Sequence, residues 1–163
     1  MEGGAMIRVL FLDIDGVLMC DEEYRAGGGV KRQFPGKRAP LILDVCRRAG
    51  AVIVVSSTWR HSDDTRDLFV AHGFPLHPDW RTPLNERDAA LGWAKPLGDL
   101  RGHEIKHWLN AHPEVSSYAI IDDDSDMLLE QMPWFCKTAF AEGVTADHAD
   151  ILVEMLTAPR PIT

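Results

Sequence analysis

The sequence predicts an α/β fold, a mainly parallel sheet with helices on both faces, and three observations carry that reading. Apolar, β-rich runs recur at Ile7–Leu12, Ala51–Val55 and Tyr118–Ile121, each continuous rather than alternating, as in parallel strands buried on both faces. Segments of helical spacing lie between them, and alternating strands and helices fold as right-handed crossovers on a parallel sheet. Each run ends in polar residues, at the strand end where open parallel sheets bind ligands. With 163 residues the chain is one domain's worth, so 1–163 is read as a single domain.

In chain order, residues 1–6 (MEGGAM) lack a basic start and an apolar stretch, and read as a disordered leader rather than a signal peptide. Ile7–Leu12 is the first strand. Cys20–Pro40, rich in Gly and charge without a sustained period, reads as a long loop, so 19–40 is expected to be a basic flap or a minimal cap. Leu41–Arg48 has helical spacing and stops at Gly50, and Ala51–Val55 is the second strand. Ser62 is placed to cap a helix carrying Asp63 and Asp64 in its first turn, which Gly73 closes. Phe74–Leu76 is a short third strand, and 77–99 reads as irregular. Ile105, Trp108 and Leu109 give Gly102–His112 an amphipathic helix ending before Pro113. After the strand Tyr118–Ile121, helices are expected at Asp126–Gln131 and Ala146–Leu156, with a short strand near Phe135–Thr138 between them.

Composition excludes several classes. Apolar residues make up 45% and charged residues 26%, which is neither disordered nor collagen-like. No apolar run approaches the about 20 residues of a membrane span. Three cysteines, far apart and without a CxxC, point to free thiols in a reducing compartment, the cytoplasm, and away from a zinc site. The net charge is −8 and the acids are mostly aspartate, 16 against 9 glutamates, although glutamate is the better helix former.

That surplus has an address. Asp13 and Asp15 stand at i and i+2 after the first strand, where the period of two turns both toward one side, and Gly16 lets the chain bend away. Asp122, Asp123, Asp124 and Asp126 follow the last strong strand. So many like charges need a counter-cation, and an oxygen-only donor set favours Mg²⁺ over zinc. A carboxylate beside Mg²⁺ can attack phosphorus, and a second one two residues on can protonate the leaving oxygen and then activate water. Ser56, ending the second strand, can donate to the phosphoryl oxygens, and Arg101 can supply a fixed positive charge. Without these six aspartates the chain stands at −2.

With these motifs in this order, the chain resembles the haloacid dehalogenase (HAD) superfamily of aspartate-nucleophile phosphatases, over roughly Ile7 to Thr138. The likeness is carried by Phe11-Leu12-Asp13-Ile14-Asp15-Gly16-Val17-Leu18, by Val52-Ile53-Val54-Val55-Ser56 and by Ala119-Ile120-Ile121-Asp122-Asp123. It implies a three-layer, Rossmann-like fold and a Mg²⁺-dependent phosphomonoester hydrolase. It makes Asp13 the nucleophile and a metal ligand, and Asp15 the general acid/base whose backbone carbonyl also binds the metal. Asp122 would be a further ligand, joined by Asp123 or Asp126. The third motif usually has a lysine; Arg101 stands in its place here, with Lys95 and Lys106 as rivals.

The little room for a cap implies an open site suited to large substrates. The Ser-Thr-Trp-Arg run gives a further, weaker likeness to HAD phosphatase domains of polynucleotide end repair, with Ser57, Trp59 and Arg60 as substrate contacts. Arg60 has a competing role as an ion-pair partner of Asp63 or Asp64, and Trp59 as core. Residues 25–48 hold seven bases and one acid, +6 against −14 for the rest of the chain, a patch able to guide a nucleotide or nucleic-acid end, or simply a solvated surface. Other readings are a phosphatase of small metabolites or phosphoproteins, a metal-free dehalogenase, and an interaction module without turnover. A receiver domain fits less well, since its phosphoacceptor strand would carry Ser56.

Overall fold

Among the described residues five parallel strands form one sheet, β1 (Ile7–Leu12), β2 (Ala51–Val55), β3 (Leu76–Arg81), β4 (Val115–Asp122) and β5 (Phe135–Lys137), in the order β3-β2-β1-β4-β5, and the three apolar runs lie in β1, β2 and β4. The structure, a computed structural model, describes residues 7–27, 34–84 and 100–160. β1 lies at the centre, with Leu12 paired to Val55 on one side and Ile121 on the other. The motif-bearing strand ends are therefore level.

The continuous apolar runs follow from the layers. Leu10, Leu12, Ile53, Val55, Ala119 and Ile121 face one core, covered by α2 (Ala39–Ala49), α3 (Asp63–Ala71) and α5 (Ala146–Thr157). Val9, Phe11, Val54 and Ile120 face a second core, closed by Ile105 and Trp108 of α4 (Leu100–Asn110) and by Met127. Helices thus lie on both faces, as the sequence predicts. The expected helix ends hold as well. Gly50, at φ 64°, terminates α2, and the Ser62 side chain accepts a hydrogen bond from the Asp64 amide at the start of α3. All three cysteines are free and buried, and no helix among the described residues is long and apolar enough to cross a membrane.

Three local expectations need correction. The segment read as a loop from Cys20 to Pro40 contains α1 (Asp21–Gly27), and α2 already starts at Ala39. A helix of two turns is too short to display a period; its acids at the first turn and Arg25 at the last suit the helix dipole instead. The third strand runs over Leu76–Arg81 rather than Phe74–Leu76. Its polar sequence and Pro78 suit the sheet edge it occupies among the described residues. No α-helix forms at Asp126–Gln131; a 3₁₀ turn spans Leu129–Trp134 instead. Gln131 is drawn inward, donating to the Gly102 carbonyl at 2.9 Å and accepting from the Leu128 amide at 2.9 Å, which ties this segment to the first turn of α4. The expected leader, 1–6, and the middle of the expected flap, 28–33, lie outside the described residues.

Candidate active site

Alternation along β1 and β4 decides which side chains meet. Val9 and Phe11 face α4, so the next residue of that phase, Asp13, does too; on β4 the same holds for Ile120 and then Asp122. Arg101, in the first turn of α4, reaches both. Its Nη1 lies 3.3 Å from Asp13 Oδ1 and 3.0 Å from Asp122 Oδ2. One guanidinium nitrogen serves both carboxylates, so the arginine acts here as a point charge, as a lysine ammonium would. Of the rivals, Lys106 is exposed and pairs with Glu130 at 3.3 Å, and Lys95 lies outside the described residues.

Asp13, Asp122 and Asp123 bring ligand oxygens within 4.8 Å of one another, and Asp13 and Asp122 are buried. Burial and the facing Asp122 hold the Asp13 carboxyl well above the usual carboxylate range, with Arg101 opposing. Asp122 is pushed up to about 6, chiefly by burial, again against Arg101. One arginine does not offset this crowding. Three hard oxygen donors in an electrostatic deficit fit a small divalent cation. Asp126 stands outside the trio; one of its oxygens, Oδ1, is buried without a hydrogen-bond partner among the described residues, and its charge acts on Arg101. Ser56 follows β2, its amide bonded to the Leu12 carbonyl at 3.0 Å. Its hydroxyl is wholly buried and likewise without a partner. Such a group costs about 1–3 kcal/mol unless a ligand completes it.

Asp15 is held differently. Its Oδ1 accepts from the Tyr24 hydroxyl and its Oδ2 from the Trp59 indole nitrogen, at 3.2 Å. Between the two aspartates the chain turns at Gly16, φ 85°, where a Cβ would come 2.3 Å from the Asp123 carboxyl carbon. Thr138 braces the turn by donating from Oγ1 to the Gly16 carbonyl at 2.6 Å, while its amide bonds the Asp122 carbonyl at 3.0 Å. One residue thus ties the two acidic motifs together.

Two expected substrate contacts prove internal. Arg60 is 1% exposed, and its Nη2 pairs with Glu104 of α4 at 3.0 Å while the guanidinium also bonds the carbonyls of Ser57, Thr82 and Pro83. Neither Asp63 nor Asp64 is its partner; Asp63 pairs with Arg81. The buried Glu104 draws Arg60 inward, where it joins the motif strand to α4. Ser57 is also buried, its hydroxyl accepting from the Trp59 amide at 3.2 Å. Trp59 leans on Phe34, with ring centroids 5.6 Å apart, so its indole is a donor to Asp15 and a packed ring rather than a free stacking platform. The basic segment is largely answered by acids: Arg25 pairs with Asp21, Arg38 with Glu22 and Glu23, Arg47 with Asp44, and Arg48 with Asp44 and Asp150. Lys31 and Arg32 lie outside the described residues.

Sequence reasoning missed Tyr24, Glu104 and Thr138. Tyr24 had a signal, since it is the lone aromatic in a segment whose Asp-Glu-Glu start suits a helix N-terminus. Thr138 had none, because its role arises only where β5 lies beside β4.

Residues 9–149 match the family described as the HAD domain in Swiss Army Knife RNA repair proteins, and the chain belongs to that family. Neither the curated proteins nor the solved structures include a match.

Proposed function

Given that membership, we propose that the protein is a Mg²⁺-dependent phosphomonoester hydrolase that works through an aspartyl-phosphate on Asp13 and removes phosphate from nucleic-acid ends. One observation carries the proposal: Asp13, Asp122 and Asp123 converge within 4.8 Å at the ends of adjacent strands, with Arg101 bridging Asp13 and Asp122. The unpartnered Ser56 hydroxyl beside β1 supports it as a donor to a phosphoryl oxygen. The family's description, RNA repair, supports the substrate class.

In this reading a carboxylate oxygen of Asp13 attacks phosphorus. The ester P–O bond breaks, and its electron pair leaves on the substrate oxygen, which takes a proton from Asp15. Asp15 then removes a proton from water, whose oxygen attacks the same phosphorus; the bond to Asp13 breaks, restoring its carboxylate and releasing inorganic phosphate. Arg101 holds Asp13 and Asp122 in place and opposes the cost of charging them, and Ser56 donates to the transferred group. Asp13, Asp122 and Asp123 would hold the Mg²⁺, which supplies positive charge against the incoming phosphate when bound. A cavity of about 440 Å³ lies beside Trp59, lined also by Thr58, His61, Ser62, Asp64, Thr65 and Leu68, and Trp59 links it to Asp15.

The test is phosphate release from RNA oligonucleotides bearing a 3′- or 5′-phosphate, compared with p-nitrophenyl phosphate, sugar phosphates and phosphopeptides. Release from RNA ends at higher kcat/KM than from the other classes, abolished by EDTA, is expected. Equal or better turnover of a sugar phosphate or phosphopeptide contradicts the substrate class, and turnover of none contradicts the hydrolase.

A further inference from the structure

We propose that Tyr24 and Trp59 are positioning residues that hold the Asp15 carboxyl, one on each oxygen, in the orientation from which it protonates the leaving group. The inference rests on the hydrolase reading above and goes beyond it, since it gives α1 a part in the chemistry. A carboxyl group on a bend has a free rotation about its own axis, and a general acid is effective only when its oxygen is aimed at the atom it protonates. Here the rotation is stopped from two sides: the Tyr24 hydroxyl meets Oδ1 and the Trp59 indole meets Oδ2.

The two donors reach Asp15 on separately braced elements. α1 is fastened at three points. The Asp21 amide bonds the Phe140 carbonyl at 2.9 Å, the Tyr24 ring stacks on Phe140 with centroids 6.3 Å apart and planes at 20°, and Glu23 is buried. The Glu23 carboxylate accepts from the Lys37 amide at 2.6 Å and from Arg38 Nη1 at 3.1 Å. Trp59 is fastened through its backbone to the Ser57 hydroxyl and to Thr65 Oγ1, which donates to its carbonyl at 2.6 Å. An indole N–H only donates and a hydroxyl can donate, and since each carboxyl oxygen has two lone pairs, either can accept its donor on one and carry the transferred proton on the other.

A positioned acid matters in proportion to the need of the leaving oxygen. p-Nitrophenolate departs without a proton; the alkoxide of a sugar hydroxyl does not. The experiment measures kcat/KM, which reports the steps through departure of the leaving group, for p-nitrophenyl phosphate and for a 5′-phosphorylated RNA oligonucleotide, in Tyr24→Phe and separately in Trp59→Phe. Tyr24→Phe keeps the ring that stacks on Phe140 and removes only the hydroxyl. Both variants should lose about tenfold more on the oligonucleotide than on the aryl ester, and Asp15→Asn should show the same bias in larger measure. A melting curve for each variant separates this bias from a change in folding, which would lower both substrates together. Equal losses on the two substrates, or no loss on the oligonucleotide, overturn the positioning role while leaving the hydrolase standing. A wild-type protein that turns over none of the phosphoesters of the panel above overturns the hydrolase itself, and an aryl-only enzyme overturns the need for a placed acid.

Discussion

At its first turn α4 places Arg101 among Asp13, Asp122 and Asp123, and beyond its last turn it meets a second polar group, His77, Asp79, His112 and Glu114. His77, His112 and Glu114 lie as close to one another as the three aspartates do. The two ends differ in what is left over. At the far end the polar groups have partners within the fold: Asp79 donates its amide to His77 Nδ1 at 2.9 Å and accepts from the Trp108 indole on its carbonyl at 3.2 Å. His112 stacks on Trp108 at 3.7 Å, with Nδ1 2.6 Å from the Trp108 carbonyl and Nε2 3.0 Å from Asp79. Because His77 Nδ1 is occupied as an acceptor, its other nitrogen carries the proton of the neutral ring and offers no lone pair to a metal. At the site end one arginine faces three acids, and the Ser56 hydroxyl has no partner among the described residues. Closeness of ligating groups does not make a site; closeness that folding leaves electrostatically unsettled does.

The comparison breaks most readily at Asp13. Asp13→Asn should cost on the order of 10⁴-fold in phosphate release while the protein stays folded, measured as kcat beside a melting curve. At the other end the loss should fall on stability instead. Trp108→Ala removes a buried ring and the stack under His112, and should destabilise by about 3–5 kcal/mol in urea unfolding.

Asp122→Asn should do the opposite. Its carboxyl, ordinarily near the low end, sits at about 6 in the fold, so charging it as pH rises from about 4 through 6 costs stability, and that cost is fully present at pH 7.5. In EDTA at pH 7.5 the asparagine variant should therefore be more stable by about 1–3 kcal/mol, and inactive. A less stable variant would show that Arg101 already settles the site.

The smallest effect is at His77. Burial and the facing His112 lower its range, with Glu114 and Asp79 opposing. The unfolded chain takes up the proton first as pH falls below about 6.5, so the histidine withdraws stability there. Between pH 7.5 and 5.5, His77→Gln should reduce the fall in melting temperature by an amount worth under about 1 kcal/mol.

Much of this was legible in the sequence, and the physical reason is burial. β1, β2 and β4 are covered on both faces and so read as unbroken apolar runs, whose strand ends display Asp13, Ser56 and Asp122. Arg101 was legible because it opens a helix with clear apolar spacing. What was hidden depends on partners distant in sequence. α1 is stabilised by Phe140 and Arg38 rather than by its own pattern. β3 is polar and forms the sheet edge among the described residues. The stretch after Asp126 carries helix formers, yet Met127 and Leu128 pack closely on Gly102, where a Cβ would stand 2.6 Å from the Leu128 nitrogen. Arg60 looked like a substrate contact because no sequence spacing announces Glu104, 44 residues away.

The central claim is that Asp13 becomes phosphorylated, and it has a direct measurement. The protein is mixed with a phosphorylated RNA oligonucleotide and Mg²⁺, quenched within the first turnover and reduced with borohydride, which converts an aspartyl-phosphate to homoserine. Peptide mass spectrometry should then find homoserine at position 13, and only when substrate and Mg²⁺ are both present. Turnover with Asp13 unmodified, or homoserine at Asp15 or Asp122 instead, would contradict the account.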